Sequence, residues 1–212
     1  MTLLALAACR QSAEPSDGSS EPARQVVAAP SAVSSGPPSS AQAGPDPFGV
    51  LGRTLVKAHA LAISEWAKAE NRPACAPLGF TGLGKAVGTP RRALFSGGWA
   101  VAFDQPGRRS AFGLAGPGLS ELDEALPDEQ RDRLQRQWPY YRDLKNLPQP
   151  AFAGYGIEGA QPYTDENPSG AGQNSLAYVR VGGQTCTYNV WSRLGRRHLE
   201  LLLDSLTVLE PN

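Results

Sequence analysis

The side chains that most often carry acid–base, thiol or metal chemistry are sparse in this 212-residue chain: two histidines, three cysteines and 20 acids. His59 sits at the edge of an apolar stripe at helical spacing, which reads as a half-buried helix histidine rather than a general base. His198, Asp204 and Ser205 are the residue types of a hydrolytic triad. On one helix, however, positions 198 and 204 lie on different faces and 204 and 205 point apart, so these three cannot converge. Asp165-Glu166 could touch a metal, but the surrounding spacing matches no calcium loop. Gly82-Leu-Gly84-Lys85-Ala-Val-Gly88-Thr89 has the composition of a phosphate loop without its order, because Lys85 precedes the later Gly-Thr. It reads as ordinary loop. No cysteine belongs to a C-x-x-C pair, which argues against a thioredoxin-like redox role. No catalytic set, metal site or cofactor is therefore expected.

The elements that would position these residues follow from periodicity. Asp46-Pro47 starts a helix, with the carboxylate capping free N–H groups and proline tolerated in the first turn. Leu51, Leu55, Ala58, Ala62 and Trp66 follow at three- and four-residue spacing, predicting an amphipathic helix to about Asn71, with Pro73 beyond. Residues 75–90 read as Gly- and Pro-rich loop. From Ala93 the period becomes two: Trp99, Val101 and Phe103 share a face, Asp104-Gln-Pro-Gly107 turns the chain, and Phe112 and Leu114 alternate after it. This predicts an antiparallel meander over 92–115.

Ser120-Glu-Leu-Asp123 resembles a capping box. Asp128 to Trp138 is a charged helix with acids first and arginines after, as the helix dipole prefers. A short strand is expected at Phe152 to Ile157 in an otherwise loop-rich stretch, 146–174. Ala177, Val179 and Val181 then alternate, Gly182-Gly183 turns, and Cys186, Tyr188 and Val190 share the next strand face. Ser192 could cap a last helix with the stripe Leu199, Leu202, Leu203 and Leu206. Arg193, Arg196 and Arg197 fall where its dipole disfavours cations, so packing or an anion must compensate.

Composition bounds the function. Lys+Arg and Asp+Glu are both 20, so the formal net charge is zero, which argues against a nucleic-acid partner. Nothing after Cys9 is apolar for the roughly 18 residues a membrane span needs. The 23 glycines and 19 prolines exceed ordinary usage, and many lie before Pro47. That segment has almost no large apolar residue to offset the entropy of ordering it. It reads as a disordered tether, spanning about 35 Å as a flexible coil.

The stretch ahead of that tether, Leu6-Ala7-Ala8-Cys9, resembles the lipobox of bacterial lipoproteins: leucine, two small residues, then the cysteine that accepts the lipid. A complete signal also has a basic start and about 7–15 apolar residues, whereas eight residues precede Cys9 and none is basic. An upstream in-frame start is expected. The resemblance implies residues 1–8 as a truncated signal, 9–45 as the tether and 46–212 as a single domain. It implies attachment to a membrane through lipid on Cys9 and, with Arg10 rather than Asp following, outer-membrane retention facing the periplasm. Export in turn leaves Cys75 and Cys186 as a disulfide candidate. Such a bond would tie the first helix to the last hairpin and place that helix against the C-terminal strands.

The expected domain is α+β, a mainly antiparallel sheet covered by helices. Its element order is loosely similar to the Mog1/PsbP-like sandwich, which also occurs in bacterial lipoproteins. Arg131, Arg136, Trp138, Tyr140 and Tyr141 form the densest aromatic–arginine cluster and are the candidate partner-binding residues, although aromatics of this kind also build small cores. The function expected is a non-enzymatic envelope lipoprotein that binds a protein partner or the cell wall, in an accessory, inhibitor or immunity-type role. The alternative is an envelope hydrolase with two carboxylates brought together from separate elements.

Overall fold

In a computed structural model, residues 47–94, 97–116 and 125–211 are described. Cys9, the expected signal and tether, Asp46 and the capping-box stretch Ser120–Asp123 lie outside the described residues. The elements run α1 (Pro47–Trp66), β1 (Leu78–Phe80), β2 (Thr89–Ala93), β3 (Trp99–Gln105), β4 (Arg108–Gly116), α2 (Pro127–Gln137), β5 (Tyr140–Asp143), β6 (Phe152–Ile157), β7 (Ser175–Arg180), β8 (Thr187–Ser192), α3 (Arg196–Asp204) and β9 (Leu206–Val208). Seven strands form one sheet in the order β2-β3-β4-β8-β7-β6-β5, every pair antiparallel, and β1 pairs with β9 in a second, two-stranded sheet. The domain is α+β with the sheet dominant.

The sheet is covered on both faces because its alternation carries apolar residues on both. Trp99, Val101 and Phe103 of β3, Leu114 of β4, Val190 of β8 and Ala177 of β7 are all buried in the main core with Leu199, Leu202 and Leu203 of α3. Phe103 stacks on Phe112 at 4.7 Å and Phe80 leans on Phe103 at 6.1 Å. α1 adds Ala58 and Ala62 to the same core. A smaller cluster of Leu134, Trp138 and Phe152 lies where α2 packs on β6.

Several expectations are corrected. α1 ends at Trp66 rather than near Asn71, and successive turns carry the chain on to Cys75. Its Trp66 indole N–H donates to the Cys75 carbonyl, closing that turn. The stretch 75–90 is not all loop: Leu78–Phe80 is a fully buried strand, recruited by the C-terminal residues 206–208. β5 was hidden because four residues cannot display a period. α1 lies over β1, β2 and β3, not against the C-terminal strands. The turn after it reaches the β7–β8 loop, with Ala76 N–H donating to Gln184 Oε1. Ser192 does not cap α3; Gly195 does, at φ +97°, with no side-chain cap.

Two glycines are required by close approach. A Cβ on Gly182 would stand 2.2 Å from the Gln149 carbonyl oxygen, where the 182 amide donates to Pro148 O at 2.9 Å. A Cβ on Gly154 would stand 2.6 Å from Trp138 Cδ1. Both are closer than non-bonded atoms pack.

Candidate functional site

The aromatic–arginine cluster begins with α2. Pro127 opens the helix, Asp128 and Glu129 occupy its first turn and Arg136 its last, the arrangement its dipole favours. Leu134 is its one buried residue. Trp138 stops the helix in an extended conformation while its N–H still donates to Leu134 O. β5 then alternates, and this divides the cluster. Tyr141 and Asp143 point to the α2 face; Tyr140 and Arg142 point to the α3 face.

On the α2 face, Trp138 lies over Gly154 and 5.0 Å from the Tyr178 ring, and it is buried. Arg131 Nε donates to Tyr141 Oη at 2.9 Å, and Tyr141 donates onward to Asp143 at 3.1 Å. The Arg131 guanidinium also pairs with Asp128 at 3.0 Å and sits 5.3 Å from the Phe152 ring. Burial, opposed by the Arg131 hydrogen bond and aided by Asp143, pushes the Tyr141 phenol up. Arg136 is exposed. The structure thus joins Arg131, Trp138 and Tyr141, leaves Arg136 on the solvent side of α2, and separates Tyr140.

On the α3 face, Tyr140 meets Tyr155 at 5.5 Å and Tyr163 at 5.4 Å. Arg196 lies 3.9 Å from the Tyr140 ring and binds Glu200 at 2.8 Å; Tyr155 donates to the same carboxylate oxygen at 2.8 Å. These contacts are what offset a cation in the first turn of α3. Only the i,i+4 spacing of Arg196 and Glu200 was visible beforehand. Arg142 adds a bridge to Asp204 at 2.6 Å. Burial and the neighbouring Glu200 push Tyr155 up to about 12.

Burial alone would raise the pKa of Glu200, but the Arg196 and Tyr155 hydrogen bonds outweigh it and hold the carboxyl below its ordinary value. A carboxylate whose folded value lies below the unfolded 4.5 contributes stability that is present above pH 4.5 and lost as pH falls through the folded value. Glu200→Gln is therefore expected to be less stable than the native protein near pH 7, with the gap narrowing as pH falls below 4.5. Urea midpoints across that range measure it. A gap independent of pH would show that the charge is not what holds this cluster.

Both histidines have structural engagements. His59 donates from Nε2 to Phe80 O at 2.9 Å. His198 has Leu83 O at 3.3 Å from Nε2 and Ser192 Oγ at 2.9 Å from Nδ1. A carbonyl only accepts, so Nε2 carries the proton and Nδ1 accepts from the serine hydroxyl. Ser192 Oγ in turn accepts from the Leu194 N–H at 3.0 Å. A serine–histidine pair is thus present, but not with Ser205, and Ser192 is 0% exposed. Burial holds the imidazole below its ordinary pKa, which keeps it neutral. The pair locks the β8–α3 corner beneath Phe112, whose ring is 4.9 Å away. Ser192→Ala should cost about 1–3 kcal/mol by leaving the buried His198 Nδ1 and the half-buried Leu194 N–H unpaired, read as a drop in urea midpoint; an unchanged midpoint would overturn this assignment.

Asp204 turns to Arg142 rather than to His198, and the Ser205 hydroxyl donates to Gly82 O at 2.8 Å. Asp165 and Glu166 are exposed, and among the described residues no three histidine, cysteine or acidic side chains converge as metal ligands. Cys75 and Cys186 stand at disulfide distance, with Cα atoms 5.7 Å apart and a separation of 111 in sequence. Both are buried. Among the described residues, no helix is long and apolar enough to cross a membrane. No family model, no curated protein and no solved structure matches this chain.

Proposed function

We propose that this protein is a lipid-anchored envelope protein that works by binding. Cys9 carries the lipid, residues 9–45 serve as the tether, and the domain faces the periplasm from the outer membrane, where it meets a protein partner or the cell wall. The observation that supports export best is the buried Cys75–Cys186 pair at disulfide distance, since such bonds persist in oxidising compartments. The Leu6-Ala7-Ala8-Cys9 pattern supplies the anchor. Binding is favoured over hydrolysis by how the chemistry-bearing groups are engaged: His198 by Ser192 and Leu83, Glu200 by Arg196 and Tyr155.

Expressed from its native locus, the protein is expected to incorporate labelled palmitate and to lose that label in Cys9→Ser. Unlabelled native protein would overturn the anchor. Incubated with purified cell-wall sacculi, it is expected to release no soluble fragments; release would return the hydrolase reading. The partner surface is the α2–β5 face, with Arg136 exposed and Arg131 and Tyr141 half-buried beside it. Arg136→Ala is expected to weaken cross-linking to an envelope partner without changing the melting temperature.

A further inference from the structure

A second concave site lies at the far end of the sheet from β5, on elements that the partner-binding cluster does not use. The loop between β1 and β2, the tip of the β3–β4 hairpin and the segment leading into α3 enclose a groove of about 660 Å³, within the range of about 300–1,000 Å³ typical of small-molecule sites. Its apolar wall is Ala86, Leu194 and Leu201, and Leu201 remains 44% exposed there. Lys85 and Arg197 line the same groove, both exposed. Neither is in an ion pair with a described residue, and among the described residues no carboxylate lines the groove.

The groove is held open by hydrogen bonds rather than formed by side chains that happen to part. Gln105 Nε2 donates to Val87 O at 3.0 Å, fastening the loop to the hairpin. Arg108 donates to Arg193 O at 2.8 Å, fastening the hairpin to the approach to α3. Ser205 and His198 fix the loop's beginning through Gly82 O and Leu83 O. Gly84, at φ +58°, lets the loop lie against Leu201, whose Cδ1 would be 3.2 Å from an added Cβ. Preformed walls of this kind lower the ordering cost of binding.

We propose that this groove binds a single-chain anionic amphiphile, a fatty-acid-like molecule whose tail covers Leu194 and Leu201 and whose acidic head is held by Lys85 and Arg197. An apolar wall alone would take any oily ligand. Two cations without a facing acid select a negative head, and the absence of a lining carboxylate leaves nothing to attract a positive one.

The test uses the full chain and four probes below their micelle concentrations: decanoate, decyl sulfate, decyltrimethylammonium and inorganic phosphate. Titration calorimetry is expected to show decanoate and decyl sulfate binding, with decyltrimethylammonium and phosphate at least tenfold weaker. The Lys85→Ala/Arg197→Ala protein should bind decanoate at least tenfold more weakly, and Leu201→Ser should also weaken it. Both variants change exposed residues, and an unchanged melting temperature checks their fold; Arg136→Ala should bind decanoate as the native protein does. Equal binding of decyltrimethylammonium, or no effect of the double variant, would overturn the proposal. So would binding of the Cys9→Ser chain to phosphatidylglycerol vesicles that decanoate does not compete with, since that is a membrane-surface contact.

Discussion

Serine at both Cys75 and Cys186 is expected to lower the unfolding free energy of the oxidised protein by about 3–5 kcal/mol. The pair spans 111 positions, so a bond between them removes more freedom from the unfolded chain than a short loop would. It also sits where local contacts are already concentrated. Ala76 N–H donates to Gln184 Oε1 at 2.9 Å, and the buried Tyr188 hydroxyl donates to Ala76 O at 2.8 Å. The turn after α1 and the β7–β8 loop are therefore held together by hydrogen bonds around the cysteine pair. The consequence is that the reduced protein should retain its fold while losing stability. Urea unfolding with and without reductant measures the effect, and reduction tests it without the cost of two buried hydroxyls. A native protein whose midpoint ignores reductant, or whose two thiols are found free by non-reducing mass spectrometry after export, would sink the idea.

Trp138→Ala is expected to cost about 3–5 kcal/mol, as truncating a buried large aromatic generally does. The indole fills the space above Gly154, contacts Tyr178 and closes the small cluster with Leu134 and Phe152. Gly154→Ala should damage the same contact from beneath, since its new Cβ would fall 2.6 Å from Trp138 Cδ1. Arg136→Ala, on the exposed side of the same helix, should change stability by less than about 0.5 kcal/mol. The contrast separates core from recognition within one stretch of sequence. If Trp138→Ala kept the native melting temperature while abolishing partner cross-linking, Trp138 would be an interface anchor instead.

Much of the fold was legible because its longer elements have a clear period. The meander over 92–115, the strand at Phe152–Ile157 and the strand faces of Ala177, Val179, Tyr188 and Val190 appear in the structure with these residues buried, while Cys186, also buried, lies just before β8. α2 was legible from its charge order. Short elements were not. β1 and β5 have three and four residues, too few to show a period, and each exists because a distant strand offers it hydrogen-bond partners. The end of α1 was misjudged for a related reason: the turns between Trp66 and Cys75 keep helix-like spacing while closing on tertiary contacts such as Glu70 N–H to Gly97 O.

The candidate site divides in the same way. Listing Arg131, Trp138, Tyr140 and Tyr141 together needed only their nearness in the chain. Strand alternation in β5 then sends Tyr140 to one face of the sheet and Tyr141 to the other. The Tyr140–Tyr155–Tyr163–Arg196–Glu200 assembly joins residues from distant parts of the chain and had no local signature beyond one i,i+4 pair. The Ser192–His198 pair has no local signature, because Ser192 ends β8 ahead of the helix that carries His198 and has the residue type and place of a helix cap.

By itself the sequence determined the α+β class, the charge balance and the residues of most strand faces. These depend on residue type and short-range period, which the chain carries locally. Only the tertiary structure decided which histidine meets which serine, how an unfavourable arginine at the start of α3 is compensated, and where Lys85 and Arg197 come to line one groove. Those outcomes depend on which distant segments share a layer, and no local period encodes that.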